Sequence, residues 1–169
     1  MQVTALAIAD VKLLTPKVFG DDRGFFVETY NRDTFAKLGF SDIYVQDNHS
    51  LSRPVGVVRG LHYQLMPRAQ AKLVRVLRGS IFDVAVDLRA ASPTFGRHVS
   101  AVLSGDNKQL LYVPVGFAHG FVTLEPDTEV AYKVTDTYAP DCDRAVRWDD
   151  ADLAIDWPVE RAIVTVSDK

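Results

Sequence analysis

The chain has one cysteine, Cys142, in 169 residues, so no intrachain disulfide can form, and that usage fits a reducing, cytoplasmic setting. It has no basic excess. Its 19 Lys and Arg against 22 Asp and Glu leave a net charge of −3, which argues against nucleic acid or an anionic membrane as partner but permits a local basic pocket. It has no apolar run long enough to span a bilayer. The opening MQVTALAIADVKLL carries no basic segment ahead of a long apolar stretch, which argues against a signal peptide. A glycine-rich phosphate loop, a dinucleotide fingerprint and a nucleophile elbow are all missing. With no repeat, low-complexity tract or linker, residues 1–169 read as a single domain with a sizeable core.

What is present is strand after strand. Residues 11–19 read as an edge strand or two short strands, broken by Pro16. In RGFFVETY, Phe25, Val27 and Thr29 share one face and Phe26, Glu28 and Tyr30 the other. Residues 31–40 form the one plausible helix, capped by Asn31 or Asp33, with Phe35 and Leu38 on one side and Gly39 ending it. Strands are then expected over 43–48, 55–64, 71–77, 81–88, 96–103, 109–113, 118–124, 129–135 and 162–166, separated by Gly/Pro/Asn/Asp turns. Residues 136–157, with Tyr138 and two tryptophans, read as an ordered lid or edge wrapping the barrel. The fold class is all-β: a double-sheet jelly roll, a cupin-like barrel with one short helix.

Within these strands, Val57-Val58-Arg59-Gly60-Leu61-His62-Tyr63-Gln64 and the neighbouring AKLVRVLRG put a guanidinium, an imidazole and, at Lys72, an ammonium among apolar residues. Such groups are costly there unless paired or used. A lone strand histidine is more often a hydrogen-bonded core residue. As a metal ligand, His62 lacks company: Gln64 stands where a second histidine would be wanted and His119 is distant, so no metal is expected. As a general base, His62 would need a carboxylate to orient it. Strict alternation puts Arg59 and His62 on opposite faces, and both enter one cavity only if Gly60 marks a bulge.

Lys72 reads equally as an edge lysine or as half of an anion site with Arg59, where an ammonium could stabilise a developing enolate. His119 lies between Phe117 and Phe121, bracketed by Gly116 and Gly120, either in an aromatic core or beside a ligand. Tyr132, on the face of Val130 and Val134, is either core or an acid opposite a base. Gln46 and Asn48 lie in the unusually polar VQDNHS, a face that meets solvent or ligand, whereas Arg23 and Glu28 are more often solvated strand residues.

These stretches in order, DDRGFFVETY, QDNHS, GVVRGLHYQ, QAKLVRVLRGSIFDVAVDLR, SPTFG, PVGFAHGF, AYKVTDTY and IDWP, resemble the dTDP-4-dehydrorhamnose 3,5-epimerase family over nearly the whole chain. The resemblance implies a metal-free, cofactor-independent enzyme of cupin type. It also implies a homodimer whose N-terminal segments cross to the partner, and a substrate of dTDP-4-keto-6-deoxyglucose type on the way to dTDP-L-rhamnose or a related deoxysugar. It makes His62 the proton-abstracting base, Tyr132 the acid on the other face of the sugar, and Lys72 the group that holds the C4 oxygen. Arg59, His119, Gln46 and Asn48 become pocket residues, and Arg23 and Glu28 nucleotide contacts donated across the dimer. Asp143 falls where the family often has a glutamate touching substrate.

There is one departure. The family pairs its base with an aspartate in a Ser-x-(Lys/Arg)-Asp setting, and this sequence reads Ser167-Asp168-Lys169, so that aspartate would be the next residue. Truncation of the given chain is the favoured expectation; the alternatives are that Asp168 substitutes or that the base lacks its usual partner. Rival readings are an enzyme of the same scaffold that inverts only one centre, a ketoisomerase, and a non-catalytic cupin that binds a sugar nucleotide.

Overall fold

The structure, a computed structural model, describes residues 1–166. Two antiparallel sheets lie face to face. One runs β1 (Gln2–Ala5), β2 (Lys12–Thr15), β10 (Leu110–Val113), β7 (Lys72–Arg78), β12 (Thr128–Val134) and β5 (Gln46–Ser52). The other runs β13 (Asp143–Ala145), β6 (Val58–Gln64), β11 (Phe117–Thr123), β8 (Ser80–Asp87) and β9 (His98–Ser104). A separate hairpin pairs β3 (Val18–Asp21) with β4 (Gly24–Val27). The expected double-sheet jelly roll is thus what the chain forms.

Alternation in the strands builds the interior. From the first sheet Val74, Val76, Leu111, Val113 and Val130 point inward, and from the second Ile81, Ala85, Val99, Leu103, Phe117 and Phe121 meet them. Each fully buried valine, leucine, isoleucine or phenylalanine among them contributes about 1.5–3 kcal/mol. Lys72 has the parity of Val74, Tyr132 that of Val130, and His119 lies between Phe117 and Phe121. All three therefore face the same interior.

The helix α1 (Arg32–Lys37) starts where expected: the Asn31 side chain accepts from the backbone N–H of Asp33 and Thr34. It packs through Phe35 alone. Leu38, expected on the packed side, is the C-cap and stays 38% exposed. The segment expected as a strand from 43 begins instead at Gln46, leaving Ile43 and Val45 exposed. Residues 162–166 are not a strand. The chain makes a 3₁₀ turn over Arg161–Ile163 and touches the sheet by one parallel bridge, Val57 to Thr165, too short a pairing for a ladder.

The wrapping segment after residue 136 divides in two. Trp148 and Trp157 pack over the outer face of the second sheet against Val58, Val84, Val86 and Val122, and the Trp157 Nε1–H donates to the Trp148 carbonyl at 2.8 Å. The residues nearer Tyr138 pass over one mouth of the sandwich. At residues 88–97 the buried Asp87 carboxylate accepts from Arg89, Ser92 and Thr94 and ties down that loop; the Arg89 guanidinium holds Asp87 well below the usual carboxylate range.

The sheet feature that shapes the interior most is a bulge between β6 and β11. His62 pairs with His119 but Arg59 pairs with Phe121, so three steps on β6 match two on β11. Gly60 and Gly120 face each other there: a Cβ built on Gly60 would lie 2.5 Å from the Gly120 Cα, and Gly60 has φ of +127°. Only glycine fits such an approach. Gly60→Ala is expected to cost roughly 2–3 kcal/mol of stability, because backbone must shift and a disfavoured φ must be held. Denaturant unfolding of the variant against the parent checks this.

Candidate active site

The extra residue at the bulge turns Arg59 and His62 toward one cavity. Its volume is about 390 Å³, and it lies between the β5/β12/β7 part of one sheet and β6 of the other. Gln46, Asn48, Arg59, His62, Lys72, Tyr132 and Asp143 all line it. Seven of the ten residues singled out in the sequence are therefore neighbours in space. His119 is an eighth, buried on β11 beside His62 rather than on the cavity wall.

Arg23 and Glu28 are not brought there. Arg23 sits at the β3–β4 turn, its side chain 90% exposed and paired with Asp21. Glu28 accepts from Asn31 and Thr34 at the start of the helix. Within one chain neither reaches the cavity wall. Asp168, the alternative to an orienting aspartate beyond Lys169, falls among residues 167–169, which lie outside the described residues.

The cavity is cationic at its base. Lys72 is 8% exposed, and its Nζ donates to the His62 carbonyl at 3.0 Å. Burial pushes the Lys72 ammonium down to about 8, against the pull of Asp83 and Asp143. Arg59 is fixed by donation to Ser52 Oγ at 3.0 Å and to the Leu51 carbonyl at 3.3 Å. Those bonds use part of its donor fork and leave other N–H groups for a ligand. Burial pushes the Tyr132 phenol up, so at neutral pH it carries its proton; the Arg59 charge works against this shift and Asp143 with it. Donors and a fixed positive charge converge on a half-open space, an arrangement suited to an anionic ligand and to negative charge that develops during reaction.

Sequence reasoning passed over two residues. Asp83, fully buried on β8, holds His119: its Oδ1 lies 2.6 Å from the His119 Nε2. The clue was its parity, since Asp83 shares the inward face with Ile81 and Ala85. Tyr138 was seen only as part of the wrapping segment, yet it lines the cavity mouth. Its backbone N–H donates to Gln46 Oε1 at 3.0 Å.

Gln64 accounts for the rest of that clasp. Its Oε1 accepts from the Ala139 N–H at 2.8 Å, and its Nε2 donates to the carbonyls of Arg68 (2.5 Å) and Thr137 (3.3 Å). The glutamine where a histidine ligand would stand is thus a loop fastener. Among the described residues no group of three or more His, Cys, Asp or Glu side chains could hold a metal ion. No helix in the described residues is long and apolar enough to cross a membrane.

Comparison with known proteins places this geometry. The family model described as dTDP-4-dehydrorhamnose 3,5-epimerase matches residues 5–169. A dTDP-4-dehydrorhamnose 3,5-epimerase of Pseudomonas aeruginosa is 54% identical over 163 residues, covering 96% of this chain and 89% of its own. A crystal structure of a dTDP-6-deoxy-D-glucose-3,5-epimerase of Legionella pneumophila in complex with dTDP-4-keto-L-rhamnose superposes with a TM-score of 0.95 at 46% identity, covering 99% of this chain and 88% of that one. A dTDP-4-dehydrorhamnose 3,5-epimerase of Bacillus anthracis with TDP and pyrophosphate bound gives 0.95 at 50% identity, covering 99% and 94%.

Gln64→Leu removes three hydrogen bonds to two loops and leaves buried backbone groups unpaired. It is expected to cost about 2–3 kcal/mol and to raise amide hydrogen exchange at residues 137–139, measured by mass spectrometry, while exchange in β8 and β9 stays as in the parent.

Proposed function

This chain belongs to the dTDP-4-dehydrorhamnose 3,5-epimerase family, and from that premise we propose that it inverts C3 and C5 of a dTDP-4-keto-6-deoxyglucose-type sugar to give dTDP-4-dehydro-L-rhamnose. The observation that carries the reading is the convergence of Arg59, His62, Lys72 and Tyr132 on one cavity. An imidazole, a protonated phenol and a buried cation together make an enolate site.

The hydrogens at C3 and C5 are both α to the C4 ketone. His62 takes one as a proton; the C–H bond breaks, and its electron pair becomes a C=C bond to C4 as the carbonyl pair moves onto O4. The Lys72 ammonium faces that oxygen, and a preorganised donor of this kind contributes on the order of 3 kcal/mol. Tyr132 then gives its proton to the carbon from the other face, which inverts the centre. His62 releases its proton to solvent, Tyr132 is reprotonated, and the cycle repeats at the second carbon. No electrons leave the substrate, so no redox cofactor is required. Because the ammonium is needed, turnover should fall as pH rises through about 8, where burial places Lys72.

Arg59, Gln46, Asn48 and Asp143 bind the substrate in this reading, and His119, set back from the wall beside His62, completes the pocket behind them. Arg23 and Glu28 enter from a second copy of the chain, in a homodimer that exchanges N-terminal segments. The hairpin that carries Arg23 supports this: Phe19, Phe25 and Phe26 on it are all more than half exposed, an apolar surface that a lone chain leaves in water. A nucleotide-sugar substrate and a lone free cysteine support a cytoplasmic setting.

The test is turnover of dTDP-4-keto-6-deoxyglucose in deuterated water. Two deuterons, at C3 and C5, are expected; one would mean a single-centre enzyme, and none a binding protein. Tyr132→Phe keeps the ring and removes only the hydroxyl. It should still exchange substrate hydrogens through His62 but invert roughly 10²–10⁴-fold more slowly. Inversion at the parental rate would make Tyr132 a packing residue.

A further inference from the structure

Behind the cavity lies a charged group that the reaction above does not use. Asp83 is 0% exposed, and its Oδ2 has no hydrogen-bond partner among the described residues. A buried carboxylate oxygen left unpaired is costly, so its retention asks for a reason. Its other oxygen holds His119, which pairs across the sheet with His62. The cation of the interior, Lys72, reaches from the opposite sheet to the His62 carbonyl. Strand parity sets Asp83 and Lys72 into the same space from the two sheets.

We propose that Asp83 is a positioning residue: its carboxylate is the internal counter-anion of the Lys72 ammonium and the anchor of the His119 ring. This rests on the enolate role given to Lys72 above. The groups around Lys72 make the case. Arg59 and His62 on β6, His119 on β11 and Tyr132 on β12 supply no fixed negative charge. Among the described residues only Asp83 on β8 and Asp143 on β13 oppose the loss of its proton, and Asp83 is the larger influence. Asp143 sits at the cavity mouth beside Tyr138, where a bound ligand and solvent compete for it. Asp83 is sealed in the interior, so its effect does not depend on what occupies the cavity.

The experiment compares the parent with Asp83→Asn, which keeps shape and hydrogen-bonding capacity and removes the charge. The alkaline limb of the kcat profile, read as solvent deuterium incorporation, should move toward acid by about one pH unit or more, the usual effect of an opposite charge nearby. The ¹⁵N resonance of the Lys72 ammonium should titrate correspondingly lower. His119→Gln, which keeps the anion, should leave the Lys72 titration, read without substrate, where it is in the parent. An unmoved limb and an unmoved Lys72 titration in folded Asp83→Asn would overturn the proposal. So would an equal movement of the Lys72 titration in His119→Gln.

A measurement on the parent alone decides the case if Asp83→Asn does not fold. The ¹³C shift of the Asp83 carboxyl should be that of a carboxylate at pH 7, and a protonated carboxyl there would overturn the proposal. The two NMR readouts need no substrate. A protein that fails to turn over the dTDP-sugar would sink the enolate reading and still report whether Asp83 and Lys72 are a charge pair.

Discussion

Lys72 carries its ammonium into the space between two sheets, where an isolated charge would cost several kcal/mol, and the surrounding chain answers that cost. The His62 carbonyl accepts from it at 3.0 Å, and Asp83 and Asp143 both favour its charged form. The compensation is partial. Burial still brings the group to about 8, so it remains cationic at neutral pH yet is poorly satisfied. A cation held in that condition binds a developing oxyanion more strongly than a solvated lysine would, because its buried surroundings screen the pair little and it needs no reorganisation.

The bulge at Gly60 depends on the same requirement. A regular β6 would aim either Arg59 or His62 at the interior, never both. One extra residue opposite Gly120 brings the guanidinium and the imidazole to the same wall. The cost is a stretch of sheet with no side chains and a positive φ, which the flanking pairings of β6 with β11 and β13 hold in place. Across the mouth, Gln64 and Gln46 fasten the segment that carries Tyr138 through hydrogen bonds to backbone groups. The opening is thereby shaped by polar contacts, while the apolar layer of Val74, Val76, Ile81 and Phe121 fills the sandwich beyond it.

Much of this was legible in the sequence, for physical reasons. The period-two alternation and the Gly/Pro/Asn/Asp turns mark the strands from β6 to β12, and an ionisable group in an apolar strand marks Lys72 and His62. The need for a bulge at Gly60 followed from counting residues between Arg59 and His62. Other features were hidden. β1 has only four residues and mixed polarity, so it gives no periodic signal. The apolar letters after Arg161 imitate a strand, but the 3₁₀ turn leaves room for one bridge. Asp83 reads as an ordinary polar position of IFDVAVD until its inward parity is known. Arg23 and Glu28 stand apart from the cavity because one chain carries them on its own exposed surface.

The central claim is that the Lys72 ammonium is reserved for negative charge on O4 and does little for the nucleotide. Calorimetric binding of two ligands, to the parent and to Lys72→Met, separates these. One ligand is dTDP; the other is a dTDP-linked ring flattened at C3–C4–C5 and anionic at the position of O4. The account predicts that the substitution weakens the flattened anion by about 10²–10³-fold, the scale of a lost oxyanion donor, and leaves dTDP bound as before. Equal weakening of both ligands, or of neither, would contradict it.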